Sequence, residues 1–327
     1  MVKRSALVTG AGGAIGATLV RKLMAEGYAV RALVHDQASA AAALPPNVEI
    51  ISGDITDWKL PAEAVRHMDF VFHLAAKLHL QNPSRALAGE YEKVNVEGTR
   101  GLVKAAIAAK CARVVFFSTI NVYGPTRPGE VFDDVASLNP DSIYAETKVR
   151  AEETVRNMAG GVILRVAAVY GPRMKGNYPR LLDALRRRRP VIVGTGLNRR
   201  TLVYVEDLCR AAMLAAEKSA AAGQTYNVSD GSIHTLREIV EAMSAALGQS
   251  APRLQLPKAP LRLVAGAVED TFHLLRKNPP IDRQSVDKLT EDVAVTCHKI
   301  QRELGYQPRY DLRAGWRETV RLLDARG

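Results

Sequence analysis

The sequence predicts an α/β fold, with a parallel sheet covered by helices and a smaller α/β part towards the C-terminus. Three observations lead there. The chain opens on a strand, a glycine turn and a helix. Short apolar runs then alternate with helical stretches as far as Val166. Beyond Tyr170 the pattern becomes turn-rich and is marked by prolines.

Val2 to Thr9 reads as a buried strand and Thr18 to Glu26 as a helix, with Gly27 as its stop. The turn between them is Gly10-Ala11-Gly12-Gly13-Ala14-Ile15-Gly16. Gly10 permits a tight turn, Gly13 lets a diphosphate approach the backbone, and Gly16 lets helix and sheet pack closely. Ala14 and Ile15 open the helix end that faces the diphosphate charge. This stretch is the dinucleotide-site candidate.

The next strands are Val30 to Val34, Val48 to Ser52 and Asp69 to Leu74. An Ala-rich stretch, Ala38 to Ala43, follows the first of these and stops at Pro45-Pro46. The residues ending the Val30–Val34 strand would meet the adenosine ribose. Val34 is apolar there, Asp36 comes two places later, and Arg31 and His35 suit a 2′-phosphate, so NAD and NADP both stay open. Asp54 and Ile55, after the third strand, suit adenine by a hydrogen bond and a packing contact; an Asp cap on the next helix fits equally. Leu74, Ala75 and Ala76 let backbone lie against the cofactor, and Lys77 is placed with the substrate. His73 reads as a packed polar group. Tyr91 to Ala109 reads as one helix, within which Asn95 costs propensity and is expected to bond inward.

Val114 to Phe117 is a strand closed by Ser118-Thr119 at its carboxyl end, where ligands sit in open parallel sheets. Tyr144 opens a helix reaching about Met158 and shares a face with Lys148, four places on. Val162 to Val166 is the sixth strand. Leu181, Leu182 and Leu185 lead into Arg186 to Arg189, read as a solvated helix end. Leu202 to Val205 is a strand, followed by a helix from Glu206 to Glu217; Ile233 to Leu247 holds another helix. Leu261 to Leu275 reads as one or two helices over a cleft, and equally as a dimer or membrane-surface helix. The expected division gives residues 1–169 and 197–223 to a dinucleotide-binding domain, and 170–196 and 224–327 to a substrate domain.

Composition narrows the partners. The 327 residues can bury a large core, and 47% hydrophobic with 24% charged residues suits a soluble globular chain. A formal charge of +11 favours acidic partners. No nucleic-acid-binding motif accompanies that charge, so a phosphorylated small molecule is the expected partner, with no nucleic acid. Cys111, Cys209 and Cys297 lie too far apart in sequence to suggest a disulfide framework or metal site. The immediate entry into a strand does not read as a signal peptide, and no run of about 18 apolar residues suggests a span. The expected compartment is the cytoplasm.

Thr119, Tyr144 and Lys148 beside a dinucleotide form a constellation for hydride transfer at a carbinol. Tyr144 takes the hydroxyl proton once its phenol is lowered by the Lys148 ammonium and the nicotinamide charge. Lys148 also suits the nicotinamide ribose, and Thr119 fixes the substrate oxygen.

Thr9 to Gly16, Gly53 to Asp57, His73 to Ala76, Asn95 to Thr99 and Tyr144 to Lys148 together resemble the extended short-chain dehydrogenase/reductase superfamily, across essentially the whole chain. The resemblance implies a Rossmann-type fold, with Thr119, Tyr144, Lys148 and Asn95 catalytic and Asp54 and Ile55 at adenine. It also implies a homodimer through two helices of the first domain. Arg165 to Pro172, Met174 to Tyr178 and Asn198 to Val205 resemble UDP-hexose 4-epimerases and 4-ketoreductases, in which Asn177 would meet the nucleotide and Arg200 a phosphate. An Arg-x-x-Asp element usual in the epimerases is not found. Pro257 to Asp292, with Pro279-Pro280, instead resembles 3β-hydroxysteroid dehydrogenase and dihydroflavonol-reductase members, which act on apolar substrates. The expected function is therefore UDP-hexose 4-epimerisation through transient C4 oxidation, with NAD favoured, or 4-keto-sugar reduction. The alternative is alcohol dehydrogenation on an apolar substrate.

Overall fold

The computed structural model describes residues 4–57, 59–78, 87–127, 129–189, 192–252, 255–274 and 283–325. The main sheet has seven strands: β1 (Ser5–Thr9), β2 (Ala29–Val34), β3 (Glu49–Ser52), β4 (Phe70–His73), β5 (Arg113–Thr119), β6 (Gly161–Val166) and β11 (Thr225–Val228). The short strands are β7 (Ala168–Tyr170), β8 (Ile192–Val193), β9 (Arg199–Arg200), β10 (Leu202–Tyr204), β12 (His234–Thr235) and β13 (Gln255–Leu256). The sheet order is β11-β6-β5-β4-β1-β2-β3, and every pairing in it is parallel. Strand order reverses between β1 and β4, so the crevice at their carboxyl ends is the binding position of an open α/β sheet.

Alternation along the strands builds two apolar layers. Val115 and Phe117 of β5 join Ala6 and Val8 of β1 on one face. Helices α1 (Ala14–Ala25) and α8 (Val205–Glu217) cover it. Val114, Phe116 and Leu7 point to the other face, under α3 (Leu60–Ala64), α5 (Gly98–Ala108) and α6 (Ile143–Arg156). The Ala-rich stretch after β2 forms only the short α2 (Gln37–Ala41), capped by Asp36.

The helix expected over Tyr91–Ala109 is not one regular helix. Helix α4 (Ala88–Tyr91) runs into a π-helical stretch, Glu92–Glu97, before α5 begins. The wide turn carries Asn95 and presents it inward.

Beyond β6, α7 (Asn177–Arg186), α9 (Leu236–Ala246) and α13 (Leu312–Asp324) enclose a third core around Tyr170, Leu182 and Trp316. Strands pair in twos there: β7 with β10, β8 with β13, and β9 with β12. Thr225–Val228, beyond the boundary expected at 223, is the edge strand of the main sheet. Helix α10 is a single helix, Lys258–Leu274, packed on α11 (Arg283–Thr290) through Ala265 and Val286, and α12 spans His298–Leu304. Leu275 and Pro279-Pro280 lie outside the described residues. No described helix is long and apolar enough to cross a membrane.

Candidate active site at the strand crevice

The glycine turn has the shape the sequence implies. Gly10 has φ +67°, and a Cβ there would lie 2.9 Å from the Ala75 nitrogen. The Gly13 amide donates to the Gly10 carbonyl at 3.0 Å. A Cβ on Gly16 would lie 2.4 Å from that same carbonyl oxygen, so α1 presses directly on the turn. Gly13 is the N-cap of α1, which has no side-chain cap and no acidic residue in its first turn. Ala14 and Ile15 thus open an uncapped helix end at the crevice, able to take a diphosphate on backbone N–H groups.

A chain of hydrogen bonds connects this turn to the helix opposite. The Leu74 and Ala75 amides donate to Thr9 Oγ1 at 3.2 and 3.1 Å. Thr9 Oγ1 is 2.8 Å from His73 Nδ1, and His73 Nε2 is 2.9 Å from Thr99 Oγ1. Thr99 spends its proton on the Asn95 carbonyl at 2.6 Å. The only consistent assignment has Nε2 protonated and Nδ1 accepting from Thr9, a neutral ring. Burial, reinforced by Lys148, pushes His73 down to about 3. His73 is thus a packed polar group, as expected.

Asn95 bonds inward to backbone: its Oδ1 accepts the Lys77 amide at 2.8 Å and its Nδ2 donates to the Lys77 carbonyl at 3.2 Å. Nδ2 also lies 3.1 Å from Thr147 Oγ1 on α6. The Lys77 backbone is held at the crevice, and its ammonium pairs with Glu90.

Thr119 ends β5, and its Oγ1 accepts the Asn121 amide at 3.2 Å. Ser142 caps α6, placing Tyr144 in its first turn and Lys148 one turn later. Lys148 is buried, with Nζ 4.2 Å from the Phe116 ring centroid. Burial lowers it to about 7, and the Glu152 carboxylate opposes that shift. Burial, with Tyr91 adding to it, pushes the Tyr144 phenol up to about 12.

The adenosine end is divided. Asp54 Oδ1 accepts the Thr56 amide at 2.8 Å, and that bond comes first in holding its carboxyl below the usual range. Ile55 is buried beneath it, where a Cβ on Gly98 would touch it at 3.0 Å. His35 is exposed just after β2 and close enough for its charge to act on Asp54. Arg31 takes other partners. It lies mid-strand, donates to Glu49 at 2.7 Å and to the Ala64 and Arg66 carbonyls at 2.9 Å, and so faces away from the carboxyl end of β2.

On the C-terminal side, Asn177 is exposed at the start of α7. Arg200 on β9 is partly exposed; burial draws its guanidinium down, while Tyr178, Glu291 and Asp292 counter this. Sequence reasoning missed Asp292, which accepts the Arg199 amide at 2.7 Å and Nε at 3.2 Å, and Glu291 beside Arg200. It also missed Glu152 and Arg165, a buried pair behind Lys148. Among the described residues no cluster of His, Cys, Asp or Glu can hold a metal.

Residues 6–229 match the model of the NAD dependent epimerase/dehydratase family. The chain is 30% identical over 310 residues to a 4-hydroxy-2-methyl-3-oxo-4-farnesyl-3,4-dihydroquinoline-1-oxide ketoreductase of Stigmatella aurantiaca, covering 92% of this chain and 91% of the relative. It is 28% identical over 326 residues to a UDP-glucose 4-epimerase of Vibrio cholerae, covering 97% and 94%. Among solved structures it is similar to MoeE5 in complex with UDP-glucose and NAD, with TM-score 0.77, 27% identity and coverage of 98% and 99%.

Proposed function

The chain belongs to the NAD dependent epimerase/dehydratase family, and from that premise we propose that it oxidises and re-reduces C4 of a UDP-hexose. The observation that carries this reading is the meeting of three elements at one crevice: the uncapped glycine turn, the end of β5 with Thr119, and the first turn of α6 with Tyr144 and Lys148. The cradle suits a dinucleotide because Gly10 and Gly16 have no room for a Cβ. NAD, when bound, supplies the hydride acceptor and a positive ring. NAD is favoured over NADP because Arg31 is committed to Glu49, leaving His35 alone of that pair at the end of β2. Gly10, Gly13, Ala14, Ile15 and Gly16 hold the diphosphate, Asp54 and Ile55 the adenine side, and Leu74 to Ala76 the path between.

Tyr144 Oη accepts the C4 hydroxyl proton. A phenol at about 12 is a poor acceptor at neutral pH, so the charge of the bound cofactor and the Lys148 ammonium must together offset its burial. Thr119 donates to the C4 oxygen, Lys148 holds the nicotinamide ribose, and Asn95 fixes the Lys77 backbone beside them. Arg200 and Asn177 hold the UDP moiety, in a cleft between the domain of the main sheet, which includes Thr225–Val228, and the remainder. The Vibrio cholerae relative and the UDP-glucose complex of MoeE5 support this substrate class.

A second reading is reduction of an apolar ketone. Glu291 and Asp292 beside Arg200 weaken the site for a diphosphate, and the Stigmatella relative is named for a farnesylated ketone. UDP-glucose separates the two. Under the leading reading the protein converts it with NAD, and Arg200→Ala raises KM about ten-fold or more, the loss of one charge-assisted contact. Absence of UDP binding by calorimetry supports the apolar ketone.

A further inference from the structure

Helix α10 is apolar on two sides. On the inner side, Ala265 is fully buried and shares a small core with Val193, Val286 and Leu261. The opposite side reads Ala259, Pro260, Leu263, Val264 and Ala267, all exposed. Leu263 is 77% exposed and Val264 60%. A helix apolar all round belongs in an interior, so this open side calls for a cover.

Its charges describe that cover. Among the described residues, Lys258 and Arg262 meet one carboxylate, Asp287, each at 3.1 Å. Glu269 and Asp270 meet one guanidinium, Arg283, at 2.9 and 2.7 Å. The helix is therefore basic over its first turns and acidic over its last. The Arg262 and Asp270 side chains stay 49% and 65% exposed, open to further partners. A helix that lies on an anionic bilayer carries lysine and arginine around its apolar side. The acidic end of α10 opposes such a surface and fits a partner with the inverse pattern.

A second copy of α10 supplies the inverse pattern. At about 3.6 residues per turn, Arg262 and Glu269 lie on the same edge of the exposed side. They stand nearly equal distances before and after Ala265 along the axis. Leu263 and Ala267 do the same on the exposed side itself. A two-fold axis at the level of Ala265 reverses the second helix and keeps like edges together. Leu263 then meets Ala267 of the second copy, large against small, and Arg262 lies beside its Glu269 and Asp270.

We propose that the outer side of α10 is a self-association surface, covered by α10 of a second copy of this chain laid antiparallel across a two-fold axis. The surface is separate from the homodimer face that the sequence resemblance implies on the first domain. One helix per copy makes a small interface, below about 1,200 Å², so the association is reversible and depends on concentration.

Sedimentation velocity of the full chain, from low micromolar to sub-millimolar concentration, should show one association step. Leu263→Asp puts two carboxylates into the seam in place of two buried leucines. It should weaken that step at least about 100-fold while leaving the circular dichroism unchanged, since Leu263 is exposed. Ala267→Asp serves in its place if the first variant does not fold. Register is tested by oxidative cross-linking, because the native cysteines are buried. An equimolar mixture of Leu263→Cys and Ala267→Cys should form several-fold more covalent dimer than either alone or than Val135→Cys, at a distant exposed site. No association step, a step that the folded aspartate variant retains, or a mixture that cross-links no better than its components would overturn the proposal. So would a wild type that stays unassociated but sediments with phosphatidylglycerol vesicles through Leu263, which would give this side of α10 to a lipid surface.

Discussion

Acidification gives a quantitative test of the hydrogen-bond chain through His73. The ring is fully buried between Thr9 and Thr99 and its folded-state value is about 3. An unfolded histidine titrates near 6.5. The folded value is depressed, so the unfolded chain binds a proton the folded chain refuses, and stability is lost as pH falls below about 6.5. At pH 5 the unfolded ring is protonated and the folded one is not. The loss is therefore set by the 1.5 units between 6.5 and 5, roughly 2 kcal/mol at about 1.4 kcal/mol per unit. His73→Gln keeps one donor and one acceptor at similar reach and cannot titrate. Urea unfolding followed by circular dichroism at pH 8 and pH 5 should show the wild type losing about 2 kcal/mol more than the variant. Carboxylates titrate equally in both proteins and cancel in the difference. Equal losses would mean that the ring is not held neutral, and the Thr9–His73–Thr99–Asn95 chain would have to be redrawn.

Two substitutions probe the cradle and the chemistry. Gly16→Ala places a methyl 2.4 Å from the Gly10 carbonyl oxygen and should cost about 1–3 kcal/mol of stability while weakening NAD binding, read by thermal melting and calorimetry. Tyr144→Phe should keep NAD affinity within about two-fold and lower turnover of UDP-glucose by about 100-fold or more, in a steady-state assay; retained turnover would remove Tyr144 from the acid–base role.

Much of this was legible in local pattern. The glycine spacing announced a turn that only small residues fit, and the structure places Gly10 and Gly16 where a Cβ would strike backbone. Tyr144 and Lys148 share a helix face by spacing alone. Partners distant in sequence were not legible. Arg31 looked available because Glu49 and the Ala64 and Arg66 carbonyls, which occupy it, come from later elements. The Lys77–Glu90 ion pair was hidden in the same way. The π-helical stretch was hidden because Asn95 within a helix signals only lowered propensity, while the Lys77 backbone and Thr99 that stabilise the widened turn come from tertiary contact and a local hydroxyl. Burial around Tyr144 likewise depends on packing that no spacing rule reports.

The most direct test of the central claim is a crystal structure of the chain with NAD bound. The account predicts the diphosphate on the Gly10–Gly16 turn, Lys148 Nζ hydrogen-bonded to the nicotinamide ribose, and the Tyr144 hydroxyl facing the reactive side of the ring. A dinucleotide bound elsewhere, or a Tyr144 hydroxyl directed away from the nicotinamide, would contradict it.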